Sequence, residues 1–363
     1  MQVCAEVHEY TMQERLLGLS ADELCALMRK EGQPGYRGDQ LAEWLYKRGA
    51  HSLGEMANLP DTLRGMLSQK YEVGRSSVVV AQSGKDGTIK LLLEMQDRAM
   101  VETVGLPYPD RLSCCVSTQV GCPIGCAFCA TGSSGYTRDL TAGEIVDQVL
   151  TVQEALQKES LSGSSDARVD HVIFMGMGEP LLNYDATMKA VRLLNKELGI
   201  AMRHLSVSTV GYVPGIRRLA QEDLQLTLAV SLHAPTDELR RRLIPGMTRW
   251  KVADIVDACR DYVRHTGRRV TFEYCLLQGV NDGTAEAQEL ARILHGLNCH
   301  VNLIPFNRAP GLPFNGPSRD SIRAFRAILE EAAIQVTQRL ERGADIDAAC
   351  GQLRQRAAGN SAP

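Results

Sequence analysis

The chain has 363 residues, which is long enough for one large domain and a smaller one. Its 40 basic and 43 acidic residues give a formal net charge of −3. That charge neither requires nor excludes a nucleic-acid partner, so any RNA contact must come from a local basic face. The 11 cysteines are odd in number and partly clustered, which favours metal or redox chemistry over a disulfide framework.

The amino terminus lacks the basic start and the apolar run of a signal peptide. No apolar run approaches the roughly 20 residues that a membrane-spanning helix needs. We therefore expect a cytoplasmic protein that does not associate with membranes.

Residues 1–75 are predicted to form a small helical accessory domain. Ser20 and Glu23 have the spacing of a capping box, and apolar residues follow at helical intervals. A second amphipathic helix is predicted over 40–46, and a third after Pro60. Four basic residues of this domain could form an RNA-binding face, although an ordinary solvated face fits them equally well: Lys30, Arg37, Lys47 and Arg48.

Residues 76–108 change to the period of β-structure. Three short β-rich runs, 77–81, 88–93 and 100–104, predict a small antiparallel sheet that links the helical domain to the core. Glu102 lies in the third run between apolar neighbours. A carboxylate in apolar surroundings tends to have a raised pKa and can accept a proton, although a lone strand glutamate is more often solvent-facing.

Residues 109–350 alternate between strands and helices, and residues 351–363 form a C-terminal tail. This alternation predicts an α/β fold with a parallel sheet covered by helices. About six such units are too few for a closed eight-stranded barrel, so we expect an open, partial (β/α)6 barrel. The strands are predicted at 113–117, 172–175, 205–208, 226–230, 270–274, 301–304 and 334–337.

Three cysteines follow the first core strand at the spacing C-x3-C-x2-C: Cys122, Cys126 and Cys129. A structural zinc site uses four ligands, and an ordinary cubane iron–sulfur cluster takes four cysteines. Three cysteines would therefore leave one iron open to a substrate or cofactor. A zinc loop with its fourth ligand elsewhere remains the alternative.

Polar and glycine-rich segments follow several of the core strands. They are Met175-Gly-Met-Gly-Glu-Pro180, Ser208, Ser231-Leu-His233 and Asn307. Ligands of such folds bind where strands end and loops begin. Each segment is a weak signal alone, but their shared position at one rim predicts a binding site.

Cys350 lies near the carboxyl end, among small residues that suggest an accessible loop. An isolated cysteine in such a place is more often only a small apolar residue. A function for Cys350 can therefore be inferred only together with the other motifs of the chain.

The C-x3-C-x2-C loop, with Phe128 before its last cysteine, resembles the signature of radical S-adenosylmethionine (SAM) enzymes. Segments along nearly the whole chain resemble one branch of these enzymes, the RlmN/Cfr family of RNA adenine methyltransferases. These segments are Cys115–Cys122, Phe128–Thr131, Met175–Asn183, Ser231–Ala234, Val301–Pro305 and Asp345–Leu353, together with Tyr36-Arg37, Glu43–Tyr46 and Leu59-Pro60.

Within this family, Pro180 resembles the RlmN branch, which methylates C2, because the C8-methylating Cfr branch typically has alanine there. Ser208-Thr-Val-Gly211 departs from the Ser-Thr-Ser-Gly that is frequent in RlmN, although it keeps Ser208. Cys114 beside Cys115 is a second unusual feature. Alternation along a strand would point these two side chains in opposite directions.

The resemblance implies a radical SAM barrel and a role for each candidate residue. Cys122, Cys126 and Cys129 would ligate a [4Fe–4S] cluster. Cys350 would carry the methyl group, Cys115 would resolve the RNA adduct, and Glu102 would accept a proton. The residues lining the SAM site would be Gly178, Glu179, Ser208, Ser231, Leu232, His233 and Asn307.

The resemblance also implies the reaction and its partners. Adenine C2 of 23S rRNA, and of tRNA, would be methylated through a methylated cysteine and a 5′-deoxyadenosyl radical, with two SAM molecules used per turnover. An electron donor such as flavodoxin or ferredoxin would reduce the cluster, and the enzyme would act as a monomer.

Two basic clusters in the core are candidates for RNA contact, although such runs are often only solvated faces. They are Arg240, Arg241, Arg242, Arg249 and Lys251, and Arg264, Arg268 and Arg269. Two other functions remain open from the residues. One is a Cfr-like C8 methyltransferase, and the other is a non-enzymatic RNA-binding protein with a structural zinc loop.

Overall fold

The computed structural model describes residues 13–159, 168–306, 311–339 and 346. Asn307 and Cys350, together with the 351–363 tail, lie outside the described residues. The chain divides into two compact units, Met1–Arg75 and Ser76–Pro363.

The first unit is built from short helices around a small apolar core. Its elements are β1 (Glu14–Arg15), α1 (Ala21–Lys30), α2 (Tyr36–Ala42), a π-helical turn (Glu43–Lys47), a 3-10 turn (Leu53–Glu55), α3 (Asp61–Ser68) and β2 (Tyr71–Glu72). β1 and β2 pair in parallel. The predicted capping box is present at α1, where Glu23 N–H donates to Ser20 Oγ and Ser20 N–H donates to the Glu23 carboxylate. Gly38 lets α1 and α2 approach closely, because a Cβ there would lie 2.2 Å from Cys25 N.

The second unit is organised by a ten-stranded sheet with helices between its parallel strands. Its strands are β3 (Ser77–Ser83), β4 (Ile89–Glu94), β5 (Met100–Tyr108), β6 (Arg111–Cys115), β7 (Gln119–Gly121), β8 (Tyr136–Asp139), β9 (His171–Phe174), β10 (Leu205–Thr209), β11 (Thr227–Ser231), β12 (Val270–Leu276), β13 (Cys299–Pro305) and β14 (Gln335–Gln338). Its helices are α4 (Ala142–Glu159), α5 (Tyr184–Lys196), α6 (Val213–Leu219), α7 (Asp237–Leu243), α8 (Val252–Thr266), α9 (Thr284–Leu294) and α10 (Arg319–Glu331).

The sheet combines an antiparallel and a parallel part. Its spatial order is β14-β13-β12-β11-β10-β9-β6-β5-β4-β3. In this order, the neighbours from β14 to β6 pair in parallel, and the neighbours from β6 to β3 pair antiparallel. β7 and β8 form a separate hairpin that carries the cysteine loop. Parallel strands joined by helices confirm the predicted α/β barrel-type core.

The linking strands differ from the sequence prediction in one respect. They extend the core sheet instead of forming a separate small sheet, because β5 pairs with β6 from Val104 opposite Cys115 to Tyr108 opposite Arg111. Gly105 permits close packing beneath this junction, since a Cβ there would lie 2.8 Å from side-chain atoms of Ile89 and Val152.

The two faces of the parallel strands have different chemistry. One face carries buried apolar residues such as Val207, Val230 and Phe272. The opposite face carries a polar row in which Ser231, Glu273, Asn302 and Thr337 lie opposite one another on successive strands. No helix among the described residues is long and apolar enough to cross a membrane.

Candidate active site

The three clustered cysteines lie in a loop between β7 and a 3-10 turn (Thr131–Ser134). Backbone hydrogen bonds fix the loop at its start and in its middle: Cys122 N–H donates to Gly135 O at 2.8 Å, and Ala127 N–H donates to Leu243 O at 2.9 Å. Gly121 has φ +79°, and a Cβ there would lie 1.9 Å from Gly135 O. The loop is therefore held in one path by contacts that other residues at position 121 would break.

The three thiols are half-buried and interact electrostatically. Burial raises the pKa of Cys122 to about 11, and the neighbouring Cys129 adds to this effect, while N–H groups of Ile124 and Gly178 oppose it. Burial also raises the pKa of Cys126. Metal ligation requires thiolates, so these sulfurs need a cationic centre to hold them deprotonated.

Among the residues that the structure describes, no three side chains of the metal-ligating types converge on one metal-ion position. A cubane cluster does not need such convergence, because each cysteine binds a different iron. The backbone N–H groups that point at the Cys122 sulfur are of the kind that tune iron–sulfur clusters.

Arg240 is a buried cation beside this loop, and it provides an independent test of whether an anionic cluster fits. The residue is 3% exposed, and its Nε–H has no hydrogen-bond partner in the described structure. The other guanidinium nitrogens donate to the carbonyl oxygens of Ser231, Leu232 and Val210. A buried guanidinium with an unused donor beside three thiols fits a negatively charged [4Fe–4S] group ligated by those thiols.

Glu179 lies behind the cysteine loop in the glycine-rich segment after β9. Its carboxylate accepts hydrogen bonds from Leu181 N–H at 3.0 Å and Val210 N–H at 2.7 Å. Burial raises its pKa to about 7 in spite of these bonds. Gly178 has φ +104°, and a Cβ there would lie 2.6 Å from the Gln119 side chain, so only glycine fits this approach.

Ser208 and Ser231 end neighbouring strands, and their Oγ atoms are 3.4 Å apart. Leu232 is fully buried, and His233 follows it with φ +57°, a left-handed conformation. His233 Nδ1 accepts Cys275 N–H at 2.9 Å, which leaves the proton on Nε2. Burial lowers the pKa of His233 to about 3, so the ring is a neutral hydrogen-bond donor.

The aromatic residue of the cysteine motif contacts this rim. The Phe128 ring meets the His233 ring edge-to-face, with centroids 4.9 Å apart. The structure thus brings together the cysteine loop, the glycine-rich segment and the ends of β10 and β11.

Glu102 and Cys115 lie on one face of the sheet, at the end where β6 leads to the cysteine loop. Lys90, Val104 and Cys115 lie opposite one another on β4, β5 and β6, and Glu102 is two residues from Val104 on the same face. The carboxylate of Glu102 is 3.6 Å from Lys90 Nζ, and both side chains are at most 5% exposed. The surroundings of Glu102 are therefore charged on one side, which the apolar sequence neighbours do not reveal.

Cys114 points to the opposite face from Cys115. It is fully buried, and its Sγ is 3.6 Å from Thr103 Oγ1. Burial raises the pKa of the Cys115 thiol, while the cations Arg339 and Lys90 oppose this rise. Of the two adjacent thiols, Cys115 is the one that shares a face with charged groups.

Several residues of this site were not identified as such from the sequence. The sequence makes Arg240 one candidate of a basic cluster for RNA contact or for a solvated face. The structure contradicts both for this residue because its side chain is buried, whereas Arg241 and Arg242 are exposed. Lys90 and Glu273 were not singled out. Glu273 is buried and accepts a hydrogen bond from Asn302 Nδ2 at 2.8 Å, and burial raises its pKa.

In the second basic cluster, all three arginines are engaged within the protein, and Arg264 forms an ion pair with Asp261. Arg268 Nε donates to Leu226 O at 2.8 Å, and Arg269 donates to the Gln335 side chain. This cluster is thus less available to an RNA backbone than its sequence suggests.

Comparison with known protein families identifies both units. Residues 116–291 match the radical SAM superfamily, and residues 15–73 match the ribosomal RNA large subunit methyltransferase N-terminal domain. The fold is therefore that of a radical SAM enzyme, a class that implies a [4Fe–4S] cluster and SAM.

Individual relatives cover nearly the whole chain. The probable dual-specificity RNA methyltransferase RlmN of Gloeobacter violaceus is 51% identical over 94% of this chain and 95% of its own length. The protein of the same name from Thermosynechococcus vestitus is 49% identical over 94% of this chain and 98% of its own length. The crystal structure of a radical SAM methyltransferase from Sphaerobacter thermophilus has a TM-score of 0.88 and 46% identity, covering 93% of this chain and 98% of that one.

The chain therefore belongs to the RlmN family of radical SAM RNA methyltransferases. The family resemblance noted from the sequence motifs is confirmed.

Proposed function

We propose that this enzyme methylates C2 of adenine in 23S rRNA, and also in tRNA. The observation that carries the proposal is the shared face of Cys115 and Glu102. It places a thiol at the end of β6, the strand that leads toward the cysteine loop, and a buried carboxylate on the neighbouring strand β5. An ordinary SAM methyltransferase that uses a nucleophilic substrate atom needs no such pair. Adenine C2 is electron-poor and lies between two ring nitrogens, so its methylation requires a different route.

The cluster and SAM, when bound, would supply the 5′-deoxyadenosyl radical that activates a methyl group held by the protein. Cys122, Cys126 and Cys129 would hold the cluster. Gly178, Glu179, Ser208, Ser231, Leu232 and His233 would line the SAM site, together with Asn307. Two SAM molecules would be used in each turnover, one as methyl donor and one as radical source.

The remaining steps belong to three side chains. Cys350 would carry the methyl group as a thioether and become joined to adenine C2 through that carbon. Glu102 would then accept the C2 proton, and the surplus electron of the radical adduct would return to the oxidised cluster. Cys115, as a thiolate, would attack the Cys350 sulfur and break its bond to the methylene carbon, which would take up a proton as the methylated base leaves. The resulting Cys115–Cys350 disulfide must be reduced before the next turnover.

Nucleoside analysis of rRNA and tRNA after incubation with the reconstituted enzyme tests this function. We expect 2-methyladenosine in both RNAs, and none after Cys350→Ala. If 8-methyladenosine formed instead, the enzyme would act as a Cfr-type methyltransferase. Pro180 favours C2, and the departure at Val210 leaves the backbone contact to Glu179 intact, because Val210 donates through its N–H.

Variants of the two adjacent cysteines test the role of Cys115. Cys115→Ala is expected to accumulate a covalent protein–RNA adduct, visible as a shifted band that resists denaturation. Cys114→Ala is the matched control, because Cys114 faces the other side of the sheet. Turnover by Cys115→Ala without adduct would contradict the assigned role.

Within the second unit, we propose that Arg241 and Arg242, the exposed arginines of α7, contact RNA phosphates. Phosphate contacts release counterions, so their loss should reduce the salt dependence of RNA binding by about one unit of log–log slope per contact. An unchanged slope in Arg241→Gln/Arg242→Gln would show that these arginines do not contact the RNA. We propose flavodoxin or ferredoxin as the electron donor, and a monomer as the active form.

A further inference from the structure

Arg240 is a buried charged residue whose described surroundings do not fully compensate its charge. It is on α7, between the buried residues Leu239 and Leu243, and no carboxylate in the described structure lies within ion-pair distance of its guanidinium. Burial lowers its pKa to about 10, so it remains a cation at neutral pH. A buried charge is retained in proteins when it is paired and hydrogen-bonded, and here the pairing is incomplete.

Three carbonyl groups orient the guanidinium without neutralising it. Arg240 Nη1 donates to the carbonyl oxygens of Ser231 and Leu232, and Nη2 donates to that of Val210. These carbonyls lie at the ends of β11 and β10, at the rim of the candidate site. Both terminal nitrogens are engaged there, whereas the buried Nε–H has no hydrogen-bond partner among the described residues.

Three groups that can become anionic interact electrostatically with Arg240, although none of the described carboxylates forms an ion pair with it. Cys126 of the cysteine loop has the largest effect, ahead of Glu179 and Asp237. The end of α7 and the turn after it are hydrogen-bonded to the cysteine loop. Leu243 O accepts Ala127 N–H, and Gly246 N–H, just after the helix, donates to Ile124 O at 2.9 Å. The cation and the loop therefore form one packed unit.

We propose that Arg240 is the counter-charge of the iron–sulfur cluster and raises its reduction potential. The inference rests on the proposed cluster ligation by Cys122, Cys126 and Cys129. Three thiolates and an oxidised [4Fe–4S] core of charge +2 carry a net charge of −1, and uptake of one electron from the donor makes this −2. A fixed cation stabilises the more negative state more strongly, so Arg240 favours reduction.

Potential measurements on matched variants of adjacent arginines test the proposal. Arg240→Gln removes the charge, Arg240→Lys keeps it, and Arg241→Gln removes the charge of the exposed neighbour on the same helix. Each protein is reconstituted with iron and sulfide, and the reduced cluster is monitored by electron paramagnetic resonance during a redox titration, without and with SAM. Iron and sulfide contents establish that the cluster is present in each.

We expect Arg240→Gln to disfavour cluster reduction at least tenfold, which is a fall in potential of at least about 59 mV for a one-electron couple. Arg240→Lys should recover part of this shift, and Arg241→Gln should match the wild-type protein. A fully loaded Arg240→Gln with the wild-type potential would overturn the proposal. A shift seen only with SAM would also overturn it, because the cation would then act on the SAM carboxylate.

If Arg240→Gln fails to fold or to bind a cluster, a measurement on the wild-type protein tests the proposal instead. With guanidino-15N-arginine incorporated, pulsed electron–nuclear resonance should detect a nitrogen coupled to the reduced cluster, and Arg240→Lys should lose that coupling. Absence of coupling in the wild-type protein would refute the proposal while leaving the methyltransferase function intact. A wild-type protein that binds no iron or sulfide would instead refute the proposed function itself.

Discussion

The buried ion pair between Lys90 and Glu102 allows a quantitative prediction. The two charges are 3.6 Å apart, and their side chains are 1% and 5% exposed. Lys90→Met removes the cation and keeps most of the side-chain volume, and Glu102→Gln removes the anion and keeps the shape. Each single change leaves the other charge buried without this partner.

The expected cost follows from the geometry. At an effective dielectric constant of about 20, Coulomb's law gives about 5 kcal/mol for unit charges at this distance. Removing one partner of a buried pair typically costs about 3–5 kcal/mol, whereas replacing both partners is often close to neutral. We therefore expect each single variant to lose about 3 kcal/mol of unfolding free energy, and the double variant to lose much less than the sum.

Urea unfolding of the cluster-free protein measures these values. The chain has two tryptophans, Trp44 and Trp250, one in each unit. A Trp44→Phe background therefore makes fluorescence report on the unit that contains the pair. Lys85→Met is the control, because Lys85 is exposed and its replacement should change the stability by less than about 0.5 kcal/mol.

Two outcomes would refute this reasoning. One is a loss below about 1 kcal/mol in both single variants, which would mean that the buried charges are stabilised independently of each other. The other is strict additivity in the double variant, which would mean that the two side chains do not interact.

Other predictions concern the site. Gly121→Ala should abolish iron loading, because its Cβ would lie 1.9 Å from Gly135 O. Gly125→Ala is the control, because the space around its Cβ is open. It should load iron and lose only about 1–2 kcal/mol of unfolding free energy for its left-handed backbone. The raised pKa of Glu179, about 7 against an ordinary 4.5, means that the folded apoprotein binds this proton more tightly than the unfolded chain. Relative to Glu179→Gln, wild-type stability should therefore fall by about 1.4 kcal/mol per pH unit as pH rises from about 4.5 to 7, and a pH-independent difference in urea unfolding would contradict this shift.

Much of the fold could be predicted because local patterns and global topology agree. Alternating strand and helix periods predicted the parallel core, and Ser20 with Glu23 predicted the start of α1. Strand alternation also predicted that Cys114 and Cys115 point in opposite directions. The continuity of the linking strands with the core sheet was missed, because strand pairing depends on long-range register and not on the sequence of each strand.

The site was harder to predict where charge and burial conflict. Arg240 was grouped with Arg241 and Arg242 because three consecutive arginines suggest a solvated face. Its spacing of three from the apolar Leu243 placed it on the buried side of α7, and this signal was present in the sequence. For Lys90 the signal was weaker, since its interaction with Glu102 requires knowledge of which strands are neighbours.

Isotopic labelling of the methyl group tests the central claim most directly. With SAM that carries a trideuterated methyl group, hydrogen removal from a methyl group held on Cys350 predicts a 2-methyladenosine with two deuterium atoms and 5′-deoxyadenosine with one. Mass spectrometry of both products measures this. A product that retains all three deuterium atoms, or formation of 2-methyladenosine without labelled 5′-deoxyadenosine, would contradict the radical route through a methylated cysteine.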